Sequence, residues 1–438
     1  MIFTPKRTTG LVSAARRHLA IATITTAIVS VSALGAQAAG LFEPVSGAES
    51  AAYAAASTAP TTIRDRLVQL DYDYMEANLV PLDADNAKDR IRRAPDAASI
   101  DVELFPDLSL TLDRKSLEKA RGAGGGFIWS GGASDDPGGY AVLVISDGHM
   151  TGQILSGNRL FTIDPVDGAV HRVTEVDQSK FPPEQFVRSP DNGNDAGNGA
   201  AEPEGLSAPL RKSKIRVLMP YTKAAKKESG DIKQSASLAI KLANDSAAAG
   251  GAKVKFQLAG TLLVKHKEKS FEKDLDKLRK GKKKFKATHK QRNKKKADLV
   301  AMLRKSDSLY CGLGYLNENP VKSDEQYGFT VTAVNCITNH SVAHEMGHNA
   351  GLEHDRFVLM YTPPTSEYNF GYVNTSAQVR SVMAYANKCN TCTRVPMFSS
   401  TAKMWNGTDM LGVAPPSADA ADASRTLNDN RKVISKFR

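Results

Sequence analysis

The twelve residues His344-Glu345-Met346-Gly347-His348-Asn349-Ala350-Gly351-Leu352-Glu353-His354-Asp355 place three imidazoles and a flanked carboxylate at a spacing suited to metal chemistry. Positions four apart on a helix lie on one face, one turn above each other, so His344 and His348 can address one ion. Glu345 lies about 100° further round the helix, where its carboxylate reaches a metal-bound water rather than the metal. Gly351 tolerates positive φ and lets the chain leave the helix sharply, which brings His354 to a third position. Three neutral imidazoles and one water make an open tetrahedral site, the kind zinc uses to activate water. One catalytic Zn2+ is therefore expected, and the sequence does not decide a calcium requirement.

A bare His-Glu-x-x-His occurs by chance, but this form is complete over twelve residues, and a second element stands downstream. Ser381-Val382-Met383-Ala384-Tyr385 matches a tight turn that sets a methionine, Met383, beneath a zinc site. His340, four residues before His344, offers a competing pair. Only the later pair brackets a glutamate and leads into the glycine turn, so His340 is assigned to the helix start and not to the metal.

These residues need a scaffold, and the flanking sequence supplies one. Ile215-Arg-Val-Leu-Met-Pro has strand character. Asp231 to Ala249 has apolar residues at helical spacing and a Gly250-Gly251 stop. Val254 to Val264, Ala297 to Leu303 and Gly328 to Val334 give further strands, and helix is expected around Leu275 and Leu278. Strands alternating with helices predict an α/β (α+β) layer with a twisted sheet. Upstream, Ser99 to Phe105, Tyr140 to Ile145 and Arg159 to Ile163 are short β-prone runs separated by Gly-rich turns, with one amphipathic stretch near Ile63 to Leu79. Pro190 to Pro209 has almost no apolar bulk and is expected to be a linker.

The N-terminus has the form of an export signal. Lys6, Arg7, Arg16 and Arg17 precede an apolar run from Leu19 to about Leu34, and Ala36-Gln37-Ala38 gives the small-x-small cleavage pattern. The expected organisation is a signal peptide over 1–38, a β-rich region over 39–188, a linker over 189–212 and the metal-bearing domain over 213–438. Export to the medium or the periplasm, no membrane span in the mature chain and a monomeric state are expected. Four cysteines fit an oxidising compartment. They allow three pairings, of which Cys311–Cys336 and Cys389–Cys392 are preferred over a redox or zinc role for Cys389-x-x-Cys392. The net charge of +11 is local. Residues Lys265 to Lys296 carry 16 of the 58 Lys/Arg but only 4 of the 47 Asp/Glu, and the remainder is close to neutral. That segment is either a solvated helix face or a dock for an acidic polymer or anionic surface. Only Phe271 and Phe285 interrupt its lysines, which favours charge attraction over base stacking.

From Ile215 to Arg438 the chain resembles the metzincin zinc peptidases, specifically the reprolysin-like branch, through the extended histidine motif, the lead-in Asn339-His340-Ser341-Val342-Ala343 and the closing Asp355. Ala297-Asp-Leu-Val, Cys311-Gly-Leu-Gly-Tyr-Leu and Arg380-Ser-Val-Met-Ala-Tyr further resemble the bacterial peptidyl-Asp metalloendopeptidase group. The resemblance implies protein or peptide substrates, Glu345 as general base and Tyr385 as a stabiliser of the tetrahedral oxyanion. It also places the wall of the primed-side pocket along Arg394-Val-Pro-Met-Phe. An acidic preference there needs a basic partner, with Arg394 the first candidate and Arg380 the reserve. Residues 39 to about 212 resemble a protease pro-region, with Arg211-Lys212 as a removal site. This region has no cysteine, so a thiolate latch on the zinc is impossible and a carboxylate or histidine is left for that role. Two other classes fit less well: a zinc-binding protein that does not cut, against which Glu345 argues, and a polyanion binder, which leaves the histidine triad unexplained.

Overall fold

The structure, a computed structural model, describes residues 40–47, 59–79, 99–122, 126–190 and 211–438. The signal-peptide reading and most of the expected linker fall outside these residues. The described chain is mixed α/β.

Alternating and continuous apolar runs upstream build one antiparallel sheet. Its strands are β1 (Phe42–Pro44), β2 (Thr62–Leu70), β3 (Ser99–Phe105), β4 (Leu108–Lys119), β5 (Phe127–Ala133), β6 (Tyr140–Ser146), β7 (His149–Ser156), β8 (Arg159–Asp167) and β9 (Val170–Val176), in the order β1-β2-β9-β8-β7-β6-β5-β4-β3. The amphipathic stretch near Ile63 resolves into strand β2 followed by the short helix α1 (Tyr72–Asn78). Two-residue turns at Asp147-Gly148 and Gly157-Asn158, all four with positive φ, match the twist of the hairpins they close. The run Ala141 to Ile145 is apolar throughout because β6 is buried on both faces. Ala141, Leu143 and Ile145 enter one core with Trp129 and Phe161, while Val142 and Val144 enter another.

That second core belongs to the rest of the chain. A six-stranded sheet has the order β10-β14-β15-β13-β11-β12, from β10 (Glu184–Arg188), β11 (Ser213–Thr222), β12 (Val254–Val264), β13 (Leu299–Arg304), β14 (Gly312–Leu316) and β15 (Phe329–Ala333). All neighbours run parallel except β14 and β15. After the short α2 (Lys223–Glu228), helix α3 (Ile232–Ala249) is capped by Asp231, whose side chain accepts from the Lys233 and Gln234 amides. It packs on β12 and also on β6 and β7, and buries residues on both sides.

The lysine-rich segment forms α4 (Phe271–Lys280) and α5 (Lys286–Lys295). Phe271, Leu275, Leu278 and Phe285 face a core with Val300, Met302 and Val331, while Lys282, Lys283, Lys284, Lys294, Lys295 and Lys296 are exposed. Both aromatics of the segment are thus buried. Helix α6 (Ser341–Asn349) follows a left-handed residue, His340, and lies against β14, β15, α3 and β10. Short strands β16 (Val373–Asn374), β17 (Val379–Arg380) and β18 (Thr393–Arg394) form a small separate sheet, after which come the hairpin β19 (Ser400–Trp405) and β20 (Asp409–Leu411) and the C-terminal helix α7 (Ala423–Ile434). The disulfides are Cys311–Cys336 and Cys389–Cys392, the expected pairing. The first ties the start of β14 to the turn before α6, and so fixes that strand against the helix that carries the histidines. No described helix is long and apolar enough to cross a membrane.

Candidate metal centre

Helix α6 carries His344 and His348 on one face, and both rings are held by backbone carbonyls. The Nδ1 of His344 donates to the Val382 carbonyl at 2.9 Å, and the Nδ1 of His348 donates to the Leu352 carbonyl at 2.7 Å. A carbonyl can only accept, so each Nδ1 carries the proton and each Nε2 presents a lone pair. Those two Nε2 atoms face each other at 3.0 Å. Two lone pairs at that distance repel unless a cation lies between them. The third imidazole, His354, completes a buried group whose ligand atoms all lie within 4.8 Å of one another, and the group could hold a metal ion. Burial pushes the His344 imidazole down to about 4 and those of His348 and His354 well below their ordinary value, so all three are neutral and able to act as ligands near pH 7. A tetrahedral divalent ion fits this donor set.

The turn out of α6 works as its sequence requires. Gly351 has φ +92°, and a Cβ there would stand 2.7 Å from the Glu318 carbonyl oxygen. Asp355 then links the third histidine to the downstream turn, its carboxylate accepting from the Tyr385 amide at 2.8 Å and from the Phe357 amide at 3.2 Å. Met383 is buried directly under the helix, with its sulfur 2.7 Å from where a Cβ on Gly347 would lie. Val382, its neighbour, is the residue whose carbonyl orients His344. His340 stands apart from the triad, among Gln153 and Ser246.

Glu345 is wholly buried, and neither carboxylate oxygen has a hydrogen-bond partner. Burial, and then the nearby Glu184, push its carboxyl well above the usual range, with Arg394 opposing. Two glycines of β14 make the space it occupies. A Cβ on Gly312 would lie 2.4 Å from Glu345 Oε1, and one on Gly314 would lie 2.8 Å from Oε2. The Gly-Leu-Gly alternation in Cys311-Gly-Leu-Gly-Tyr-Leu carried that signal, since glycine inside a strand marks a close approach.

Tyr385 borders the triad. Its ring centroid is 4.5 Å from that of His354, its hydroxyl lies 3.3 Å from His354 Nε2, and the same hydroxyl donates to the backbone carbonyl of Glu184. Arg394 is 1% exposed. Its Nη1 donates to the Asn339 carbonyl at 3.0 Å and its Nη2 to the Ala384 carbonyl at 3.1 Å. Both nitrogens also engage the Glu184 carboxylate, Nη2 to Oε2 at 3.2 Å, a two-pronged pairing. Arg380 is buried beside it and is satisfied by the carbonyls of Cys392 and Ala384. Glu184 was not singled out in the sequence. It is 2% exposed and also accepts from Ser341 Oγ at 2.7 Å and Asn339 Nδ2 at 3.3 Å. Burial pushes its carboxyl up, but the nearby Arg394 foremost, then His344, and the hydrogen bonds from Arg394 and Ser341 outweigh that and hold it at about 2.

Residues 235–355, from α3 through Asp355, match the family model of M12B reprolysin-like metallo-peptidases. The chain carries a reprolysin-like metallopeptidase domain. This metallopeptidase is also similar, at 29% identity over 433 residues, to a peptidyl-Asp metalloendopeptidase of Stenotrophomonas maltophilia, with 93% of this chain and 95% of the relative covered. A protein of the same description from a second strain of that species matches at 29% over 430 residues, again 93% and 95%. One from Xanthomonas campestris pv. campestris is 28% identical over 357 residues, covering 76% of this chain and 82% of the relative. The matched span of the family model holds all three histidines and Glu345. The chain is a metalloendopeptidase, and its substrates are proteins or peptides.

Proposed function

We propose that this metallopeptidase holds one zinc ion on His344, His348 and His354 and cuts peptide bonds beside acidic residues, with Glu345 as general base. Bound zinc supplies Lewis acidity, which lowers the pKa of a water toward about 7 and polarises the scissile carbonyl. Glu345, desolvated and with both oxygens free, takes the proton of the attacking water and returns it to the leaving amine. The Tyr385 hydroxyl donates to the oxygen on which negative charge develops. Arg394 receives the carboxylate of an acidic substrate side chain, and Arg380 adds positive potential behind it. The observation that carries this reading is the pair of facing Nε2 lone pairs 3.0 Å apart, oriented by carbonyls and next to a carboxylate with no protein partner. The acidic preference is supported by a buried guanidinium and by the description borne by the relatives. The chain is read as exported through residues 1–38 and made as a precursor whose residues 39–188 are removed within 189–212.

Glu345→Ala decides the assignment. It should retain about one zinc per chain by elemental analysis while kcat/KM on a peptide falls by roughly two to four orders of magnitude. His348→Ala should instead lose the metal. Retained activity in the first variant, or loss of its zinc, refutes Glu345 as the base.

A further inference from the structure

Strand β10 lies along β14, beside the histidine triad. Its register with β14 pairs Glu184 with Gly312, Phe186 with Gly314 and Arg188 with Leu316, so these three alternate residues share one face. That face is turned toward α6 and the metal centre. Glu184 sits on Arg394, and its carbonyl takes the Tyr385 hydroxyl. The Phe186 ring centroid is 4.9 Å from that of His348 and 5.1 Å from that of His354. Arg188 pairs with Glu353 at 3.0 Å and with Glu318. The intervening Gln185 and Val187 are exposed. Backbone bonds close both ends, from the Cys311 amide to the Pro183 carbonyl at 2.9 Å and from the Ser189 amide to the Leu316 carbonyl at 3.0 Å.

We propose that β10 is an internal pseudo-substrate that keeps the intact chain inactive, its Glu184 carboxylate filling the Arg394 pocket of an acidic substrate side chain and its backbone taking the free edge of β14. The proposal rests on the peptidase reading above and adds how that site is regulated. Two ion pairs of opposite polarity, Glu184 with Arg394 and Arg188 with Glu353, fix the strand in one register. Between them Phe186 covers two of the three imidazoles. A strand that stayed in the working enzyme would leave Tyr385, Arg394 and the histidine rims covered for good. The position of β10, immediately before the 189–212 segment, makes it separable from β11 by one cut. A carboxylate thus fills the latch role that the lack of upstream cysteines leaves open, and it does so on an arginine and not on the metal.

The test uses the full-length chain, with Glu184→Gln beside the unaltered protein. Hydrolysis of a short Asp-containing fluorogenic peptide is measured on intact chains and again after cutting within 189–212 and removing the N-terminal part. Amide hydrogen exchange over residues 184–189 is measured on the intact chains. The unaltered intact chain should be strongly suppressed relative to its processed form. Intact Glu184→Gln should be about tenfold or more faster than the unaltered intact chain, as expected when one partner of a buried charged pair is lost. Its 184–189 amides should exchange faster while β11 and β13 keep their protection. An intact Glu184→Gln chain that is as silent and as protected as the unaltered one overturns the proposal, as does an unaltered intact chain as active as its processed form. Inactivity of every processed form would count against the peptidase reading alone, because the exchange data still decide whether Glu184 holds β10 in the cleft. Should Glu184→Gln lose protection in β11 and β13 as well, Phe186→Ala, which keeps the ion pair, is judged by the same two readouts.

Discussion

Gly312→Ala probes the proposed base without touching it. The new Cβ would stand 2.4 Å from Glu345 Oε1, 2.7 Å from Cγ and 2.8 Å from Cδ, where ordinary contacts begin at 3.4 Å. The clash is with a side chain, so the carboxylate yields while the backbone of β14 keeps its pairing with β15. Glu345 must therefore shift by about 1 Å, and a misplacement of that size costs on the order of a hundredfold in rate, or about 2.7 kcal/mol in the barrier. Substrate contacts made elsewhere in the cleft are unaffected, so the loss should fall on kcat with KM little changed and zinc content retained. Steady-state kinetics of the processed enzyme on a short peptide, with metal analysis and a thermal melt of the same samples, measure this. Glu345→Asp withdraws the carboxylate by one methylene, so its cost should be smaller in the Gly312→Ala background than alone, a coupling readable from the double-mutant cycle. An unchanged kcat in Gly312→Ala, or strictly additive costs in the cycle, refutes the claim that the two β14 glycines exist to seat Glu345.

Arg394→Met should collapse the ratio of kcat/KM for Asp-containing over neutral library peptides by about a hundredfold, the worth of a buried charge partner; a preference for large apolar residues at this subsite in the unaltered enzyme would remove the acidic-pocket reading. Mass spectrometry of exported protein should find the mature N-terminus between Ser189 and Ile215, and a start inside residues 100–176 contradicts the boundary. Neutralising Lys282, Lys283, Lys284, Lys294, Lys295 and Lys296, all exposed, should weaken salt-sensitive retention on an anionic resin while sparing cleavage of a short neutral peptide. Equal loss on both would make the segment structural.

Helix α6, strands β11, β12, β13 and β15 and helix α3 are legible because each rests on local pattern. Histidine spacing and apolar periodicity with an Asp231 cap are written in consecutive residues, as is Cys389-x-x-Cys392, whose pairing leaves Cys311 for Cys336, 25 residues on. What escaped was decided by pairing at a distance. Strand β14 holds Gly312 and Gly314, which strand propensity disfavours, and it is kept in the sheet by β15 and by the disulfide to Cys336. Strand β10 has only five residues, with Glu184, Gln185 and Arg188 among them, and no local preference separates it from a loop. It exists because β14 offers an open edge. Glu184 was invisible for the same reason. An isolated glutamate upstream of a linker is normally solvated, and it becomes notable only once Arg394, 210 residues later, is seen opposite.

The proposed latency and the proposed selectivity share one electrostatic basis. Arg394 is buried with Arg380 at its side, and carbonyl oxygens take only part of its donor set. A guanidinium in that position is costly, by about several kcal/mol, unless an anion faces it. In the intact chain Glu184 is that anion. Once β10 leaves, the same demand passes to whatever enters the cleft, and a carboxylate side chain meets it better than any neutral group. A strand holding Arg394 by Glu184 alone would be in direct competition with every acidic peptide. The additional anchors, Phe186 on the imidazoles and Arg188 on Glu353, lie outside that competition, since they engage parts of the cleft that an acidic side chain does not reach. On this argument Glu184 sets how well the strand imitates a substrate, and Phe186 and Arg188 set how firmly it stays.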